Sequence, residues 1–417
     1  MNAHKTIWQI IGPVIVAVAL VAVVFIVPQG FGSVSKQTEQ KAAVSLSTNV
    51  FKGNKIKSQA IDDGYVPFIG SSELSRMDPL HPSVLAAKYH RSYQPFLLGK
   101  PGTQSLVHYF ALSGVMRHLK NRKVVFIVSP QWFTKQGQMP TAFDYYYSPL
   151  ETIHWLTHAH DSVATRYAAQ RLLTMPSASS DRIMKAAITN VAAGKAITSG
   201  QRTYLTTKEN LLVNADDLYS RLVSGRRLRH IQQAERQLPA HDSTAQLTKV
   251  ANRLGAQATG NNRFGVKDSF YNLRLRGHNV QNLRQAERNF NYTQSPEYSD
   301  MELLLSQFAK YHVQVMVVIP PVNHKWAKYT GLSDKMYAQT DRKIKTQLQS
   351  QGFTHIVDLT HDGGQKYFME DTIHLGWRGW LKMDQQVKPF LSRKQPAAHY
   401  RIQNRFFSRT WQLAQNK

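Results

Sequence analysis

The sequence predicts an α/β protein: a three-layer α/β/α parallel sheet with a large helical insertion, preceded by one N-terminal transmembrane helix. Three observations carry this reading. Short uninterrupted apolar runs alternate with helical patterns, as expected of strands buried on both faces of a parallel sheet. A long central stretch has helical periodicity and no comparable apolar run. Finally, Ile7 to Val27 carries no charge and is long enough, at helical rise, to cross a hydrocarbon core of roughly 30 Å.

The elements follow in order. Residues 1–28 are read as a membrane anchor with a short flank. A cleaved signal peptide would have a shorter apolar region, of about 7–15 residues, ending at small residues. Lys5 precedes the span and Lys36 and Lys41 follow it, so positive charge sets orientation only weakly, and the large C-terminal part is placed outside the cell. Residues 29–60 are polar and short of large apolar side chains, which predicts a stalk or membrane-proximal helix. The catalytic domain is assigned to 61–395, with strands at "YVPFI" (65–69), "FLLG" (96–99), "VVFIVS" (124–129), "VQVMVVI" (313–319) and "HIVDLT" (355–360). Helical patterns cover 103–120, 299–312 and 333–351, and the helical insertion spans about 140–295. Residues 396–417 form a basic C-terminal tail.

Composition limits the chemistry. The 417 residues include 52 Lys and Arg against 26 Asp and Glu, a formal charge of +26, so the surface favours polyanions such as anionic lipid or phosphate-rich wall polymers. Arginine recurs in the insertion, in "GRRLRH" and "YNLRLRGHNVQNLRQAER". A single basic run usually marks a solvated helix face; recurrence next to an anchor favours a polyanion-facing surface. No zinc-finger spacing, basic zipper or RNA-recognition signature points to nucleic acid. Cysteine is absent, which removes disulfides, thiol nucleophiles and thiolate metal sites.

The candidate reactive groups sit where predicted strands end. Ser71 and Ser72 follow the first strand, and the functional crevice of a parallel sheet lies beyond the carboxyl ends of its strands. Serines at such a position commonly do no more than cap the next helix. A nucleophilic serine needs a base and a group to orient it. Both occur in "DTIHLGW", where Asp371 can accept the Nδ1 proton of His374 and leave Nε2 free to deprotonate a serine. The alternative role for Asp371 is to cap a helix beginning near Leu375. Gly102, after the second strand, and Gln131, after the third, are candidate oxyanion donors. His361, Asp362, Glu370, Asp371 and His374 offer metal-ligand atoms in a short space but match no zinc-helix pattern, so neither metal nor cofactor is assigned.

The order of these blocks resembles the SGNH (GDSL-like) hydrolases. In that alignment Gly70-Ser71-Ser72 stands for Gly-Asp-Ser, which makes Ser72 the nucleophile; Ser71 replaces the aspartate, and Gln131 stands where an asparagine is usual. With "FIGSSEL", "GKPGTQSL", "SPQWF", "VVIPPVNHKWAKYTGL" and "DTIHLGW", nearly the whole chain is similar to the DltD family of Gram-positive D-alanyl-lipoteichoic acid biosynthesis proteins. The resemblance implies a single-pass protein of the cell membrane whose extracellular domain acts in D-alanylation of lipoteichoic acid. Its implied partners are a membrane-bound O-acyltransferase and, indirectly, a D-alanyl carrier protein. The leading expectation is a serine O-acyltransferase using Ser72, His374 and Asp371. The alternatives are a D-alanyl esterase or thioesterase of the same pathway, and a non-catalytic scaffold that binds teichoic acid and recruits the acyltransferase.

Overall fold

The computed structural model describes residues 8–18 and 32–415. Its centre is a five-stranded, all-parallel sheet of order β2-β1-β3-β4-β5, built from β1 (Tyr65–Ile69), β2 (Gln94–Leu98), β3 (Lys123–Ile127), β4 (Gln314–Ile319) and β5 (Ile356–Asp358). Each predicted apolar run supplies one strand. Val124 to Val128 are all fully buried. Successive side chains of a strand point to opposite faces, so helices must cover both sides of the sheet.

Pro67 in β1 cannot donate a ladder hydrogen bond. The sheet accommodates it because β1 meets β3 only at Phe68 and Ile69, beyond the proline.

The segment between β3 and β4 is helical, as predicted. It includes helices Pro140–Tyr146, Pro149–Thr157, Val163–Leu173, Arg182–Ala192, Ser199–Tyr219, Arg226–Glu235 and Thr244–Ala258. The helix expected over 103–120 is shorter. It spans Ser105–Ala111, and tight turns follow. The reason is local: Ser113 Oγ and the Gly114 amide both donate to buried Glu151, which takes these groups out of a regular helical ladder.

The segment read as a stalk, 29–60, contributes to helices Lys36–Ser45, Thr48–Lys52 and Lys55–Asp62. They pack onto the body and bury Ala42, Ala43, Val50, Phe51, Ile56 and Ala60. Much of this apolar face is alanine, which is why the stretch reads as polar from composition. Lys57, buried in the third of these helices, pairs with Glu151 at 2.9 Å and donates to the Phe51 and Ala111 carbonyls.

The C-terminal segment is docked as well. Phe406 and Phe407 are buried, Trp411 Nε1 donates to Gln347, and Lys343 Nζ donates to the Ala414 carbonyl.

Residues 8–18 are helical and mostly exposed, while Ile7 and residues 19–27 of the expected membrane span lie outside the described residues. Among the described residues no helix is long and apolar enough to cross a membrane.

Candidate active site

β1 ends at Ile69, and the chain enters a tight turn, Ser72–Ser75, through Gly70 and Ser71. Two glycines allow the ends of β1 and β2 to approach this closely. A Cβ on Gly99 would stand 2.2 Å from the Gly70 carbonyl oxygen, and one on Gly70 would stand 2.1 Å from Glu73 Oε1. The Gly70 carbonyl is also held from behind, by Thr103 Oγ1 at 2.8 Å and His108 Nε2 at 2.7 Å.

The two serines have separate tasks. Ser71 is buried and donates its hydroxyl to the Lys100 carbonyl, while its amide donates to Glu73. Ser72 Oγ lies 2.7 Å from His374 Nε2. Neither serine caps a helix through its side chain. The partner histidine arrives from the far edge of the sheet: the loop after β5 runs back across the strand ends to bring 371–374 over β1.

Asp371 completes the relay. Its carboxylate contacts His374 Nδ1 at 2.7 and 2.9 Å, and Oδ1 accepts the amides of Ile373 and His374 at 2.9 Å. It therefore organises its own turn and does not cap the following helix, which begins at Trp377. Burial pushes the Asp371 carboxyl up, but the His374 ring, the Ile373 amide and the Arg76 guanidinium outweigh it and hold the pKa below the ordinary value. Arg76 Nη2 is 3.3 Å from Oδ2. A carboxylate can only accept, so His374 Nδ1 carries the proton and the Nε2 lone pair faces the Ser72 hydroxyl.

The sheet order also places the two candidate oxyanion residues. β2 and β3 both flank β1, so the loops bearing Gly102 and Gln131 border the Ser72 turn on either side. Gly102 has φ +93°, where only glycine is unstrained, and its carbonyl accepts from Gln138 Nε2 at 2.9 Å. Gln131 lies half-buried in the turn after β3. Neither bonds to Ser72, His374 or Asp371. Of the other donors near the motif, Asp362 pairs with Lys382 and Glu370 with Lys267, while His361 is exposed. Among the described residues no three such side chains are grouped as a metal centre would require.

Sequence reading missed several supporting residues: Glu73, Arg76, Thr103, His108 and Arg227. The charged pair just after the serines was visible, but its targets were not. Arg227, one of the insertion's arginines, donates to the carbonyls of Val44 and Leu74 and so braces the turn at Ser72.

His108 is fully buried, and burial, opposed by the Gly70 carbonyl and aided by the Lys57 charge, depresses its pKa to about 4; burial and the Arg227 charge depress that of buried His81 to about 3. Both are neutral at pH 7. On unfolding they return to about 6.5, so below that pH the unfolded chain binds more protons at these two sites than the folded one. The two histidines therefore contribute a downward slope of stability as pH drops from about 6.5 toward 4, opposed by buried Asp78, Glu297 and Glu302, which burial raises to about 8, 8 and 7 and which bind protons in the folded chain over the same range. His108→Gln should lessen that slope by up to about 1.4 kcal/mol per pH unit, read from denaturant midpoints across the range. An unchanged slope would remove His108 from this account.

Fold and site together define the class: a parallel α/β protein in which Ser72, His374 and Asp371 are hydrogen-bonded in series at the carboxyl ends of the strands. The chain belongs to the DltD family, whose model, described as "DltD protein", matches residues 43–392. It is 46% identical over 411 residues to Protein DltD of Lacticaseibacillus rhamnosus, covering 98% of this chain and 97% of that relative. It is 31% identical over 388 residues to Protein DltD of Bacillus subtilis (strain 168), covering 91% and 96%, and 28% over 382 residues to that of Staphylococcus aureus (strain NCTC 8325 / PS 47), covering 90% and 94%.

Proposed function

We propose that this chain is a serine O-acyltransferase of teichoic acid D-alanylation, with an SGNH-hydrolase-like catalytic domain. The observation that carries the reading is the unbroken Ser72–His374–Asp371 relay, with 2.7 Å from hydroxyl to imidazole and 2.7 Å from imidazole to carboxylate.

Ser72 Oγ attacks the carbonyl of an activated D-alanyl donor while its proton passes to His374 Nε2. Collapse of the tetrahedral intermediate expels the donor's leaving group, which takes that proton and leaves a D-alanyl ester on Ser72. A teichoic acid hydroxyl then gives its proton to His374 and displaces Ser72, which recovers the proton. Ionised Asp371 stabilises the imidazolium in each half-reaction. Gly102 and Gln131, on the loops beside the nucleophile, are the proposed oxyanion donors.

The cellular setting belongs to the same proposal. Ile7 to Val27 anchors the chain by a single span, the catalytic domain faces outward, and lipoteichoic acid is the acceptor. A membrane-bound O-acyltransferase supplies the acyl group, drawn from a D-alanyl carrier protein inside. The net charge of +26 suits a polyanionic acceptor at the membrane surface.

The test is mass spectrometry of the full-length protein given an activated D-alanyl thioester. A D-alanyl mass increment on the peptide containing Ser72, lost on treatment with hydroxylamine, is the expected result. Full acyl transfer with no adduct at any time point would remove the covalent step.

A further inference from the structure

A cavity of about 470 Å³ is formed between the 259–265 loop, the start of the helix after β4, and residues 363–369, which lead into the turn that carries Asp371 and His374. Its volume falls in the range of small-ligand sites. The lining includes Lys325, Lys366, Asn262, Asn323 and Thr259 and no aspartate or glutamate, while the Asp268 carboxylate stands behind it, accepting from the Gly260 amide and from Asn262 Nδ2 at 3.0 Å. Among the described residues neither lysine pairs with a carboxylate, whereas Lys267 and Lys382 close by are both neutralised. The cavity therefore presents two ammonium groups that no carboxylate neutralises.

The walls are tied to the catalytic loop. The Asn323 amide donates to the Thr372 carbonyl at 2.9 Å and the Lys267 amide to the Glu370 carbonyl at 2.7 Å, one residue to either side of Asp371. Met369, in the lining, bridges to Leu375. Tyr367, also in the lining, has φ +62°, a costly conformation for a bulky side chain. Gly255 makes room for it, since a Cβ there would lie 2.5 Å from the Tyr367 ring. Lys366 Nζ sits 4.9 Å from the centre of that ring, which carries the ammonium at the cavity's edge.

We propose that this cavity binds one phosphodiester of the acceptor polymer and thereby presents a neighbouring hydroxyl to the acyl group on Ser72. The inference rests on the acyl-transfer reading above and adds to it how the acceptor is held. In the transfer step the hydroxyl oxygen bonds to the ester carbonyl carbon, the bond from that carbon to Ser72 Oγ breaks, and the hydroxyl proton reaches Ser72 Oγ through His374 Nε2. Lys325 and Lys366 take no part in bond making; they position the acceptor.

The test uses the full-length chain carrying Lys325→Glu and Lys366→Glu together, with three probes: glycerophosphoglycerol, uncharged glycerol, and phosphatidylglycerol vesicles. The kcat/KM for glycerophosphoglycerol relative to glycerol is expected to fall about tenfold, through KM, as suits two partly solvated charge contacts. An unchanged ratio overturns the proposal. A parallel calorimetric titration of glycerophosphoglycerol into Ser72→Ala protein, with and without the two lysine changes, reads binding without acylation. An affinity about tenfold weaker after the changes supports the pocket even if Ser72 accepts no acyl group and the acyl-transfer reading falls. If the changes weaken binding to the vesicles alone and leave the soluble diester unaffected, the cavity is a lipid site and the proposal is wrong.

Discussion

Ser72→Ala is expected to lower acyl transfer by roughly 10⁴ to 10⁶-fold, the size of loss seen when the nucleophile of a serine relay is removed. The side chain makes one hydrogen bond, to His374 Nε2, and is half-buried. Its removal leaves the Gly70 carbonyl contacts, the Ser71 bonds to Lys100 and Glu73, and the Asp371 turn in place. Stability should shift by no more than about 0.5 kcal/mol, as is usual for a small change away from the core. Transfer rate and denaturant midpoint measured on the same preparation separate these effects. A variant that keeps a tenth of the wild-type rate would refute the nucleophile assignment, and in particular would favour the non-catalytic scaffold.

Lys57→Met is expected to cost about 3–5 kcal/mol, because it strands Glu151 as an unpaired buried charge. Lys57 and Glu151 are almost completely excluded from solvent, at 1% and 0% exposure, so the remaining carboxylate has no water to turn to. Glu151 would still accept from Ser113 and Gly114, and for that reason Lys57→Met with Glu151→Gln should recover a large part of the loss: the amide oxygen can keep an acceptor role without the charge. Denaturant unfolding of the single and double variants checks both statements. A single variant within 1 kcal/mol of wild type would contradict the claim that helix Lys55–Asp62 is pinned to the body through this pair.

That ion pair also shows where sequence reading stops. The lysine lies in a stretch short of large apolar residues, and its partner lies in the helical insertion, with β1, β2 and β3 between them in the chain. Composition describes 29–60 as a polar connector. Packing makes it part of the core, through an alanine-rich face and one neutralised charge. The arginines of the insertion give the same lesson in reverse: "GRRLRH" reads as a surface patch, yet Arg227 is spent on the carbonyls of Val44 and Leu74, while Arg226 and Arg229 stay exposed.

The five strands were legible because a parallel sheet covered on both faces needs unbroken apolar runs, a local property that survives in one dimension. The Gly70-Ser71-Ser72 turn and "DTIHLGW" were legible for a similar reason: a glycine-serine turn after one strand and an Asp and His three residues apart form compact motifs. The structure shows that Asp371 folds its own turn through the Ile373 and His374 amides, an outcome the spacing already permits.

The choice between Ser71 and Ser72 depends on a neighbour 302 residues away, His374, and so belongs to the tertiary structure. So do the bracing of Gly70 by Thr103 and His108, the pairing of Arg76 with Asp371, and the cavity lined by Lys325 and Lys366. The sequence by itself determined which segments are strands and which residue types stand at the strand ends, because hydrophobic burial and turn chemistry act over a few residues. Which hydroxyl meets the imidazole, and which cations are left unpaired, only the fold decided, because hydrogen bonds and ion pairs depend on distances of about 3 Å between groups that the chain itself keeps far apart.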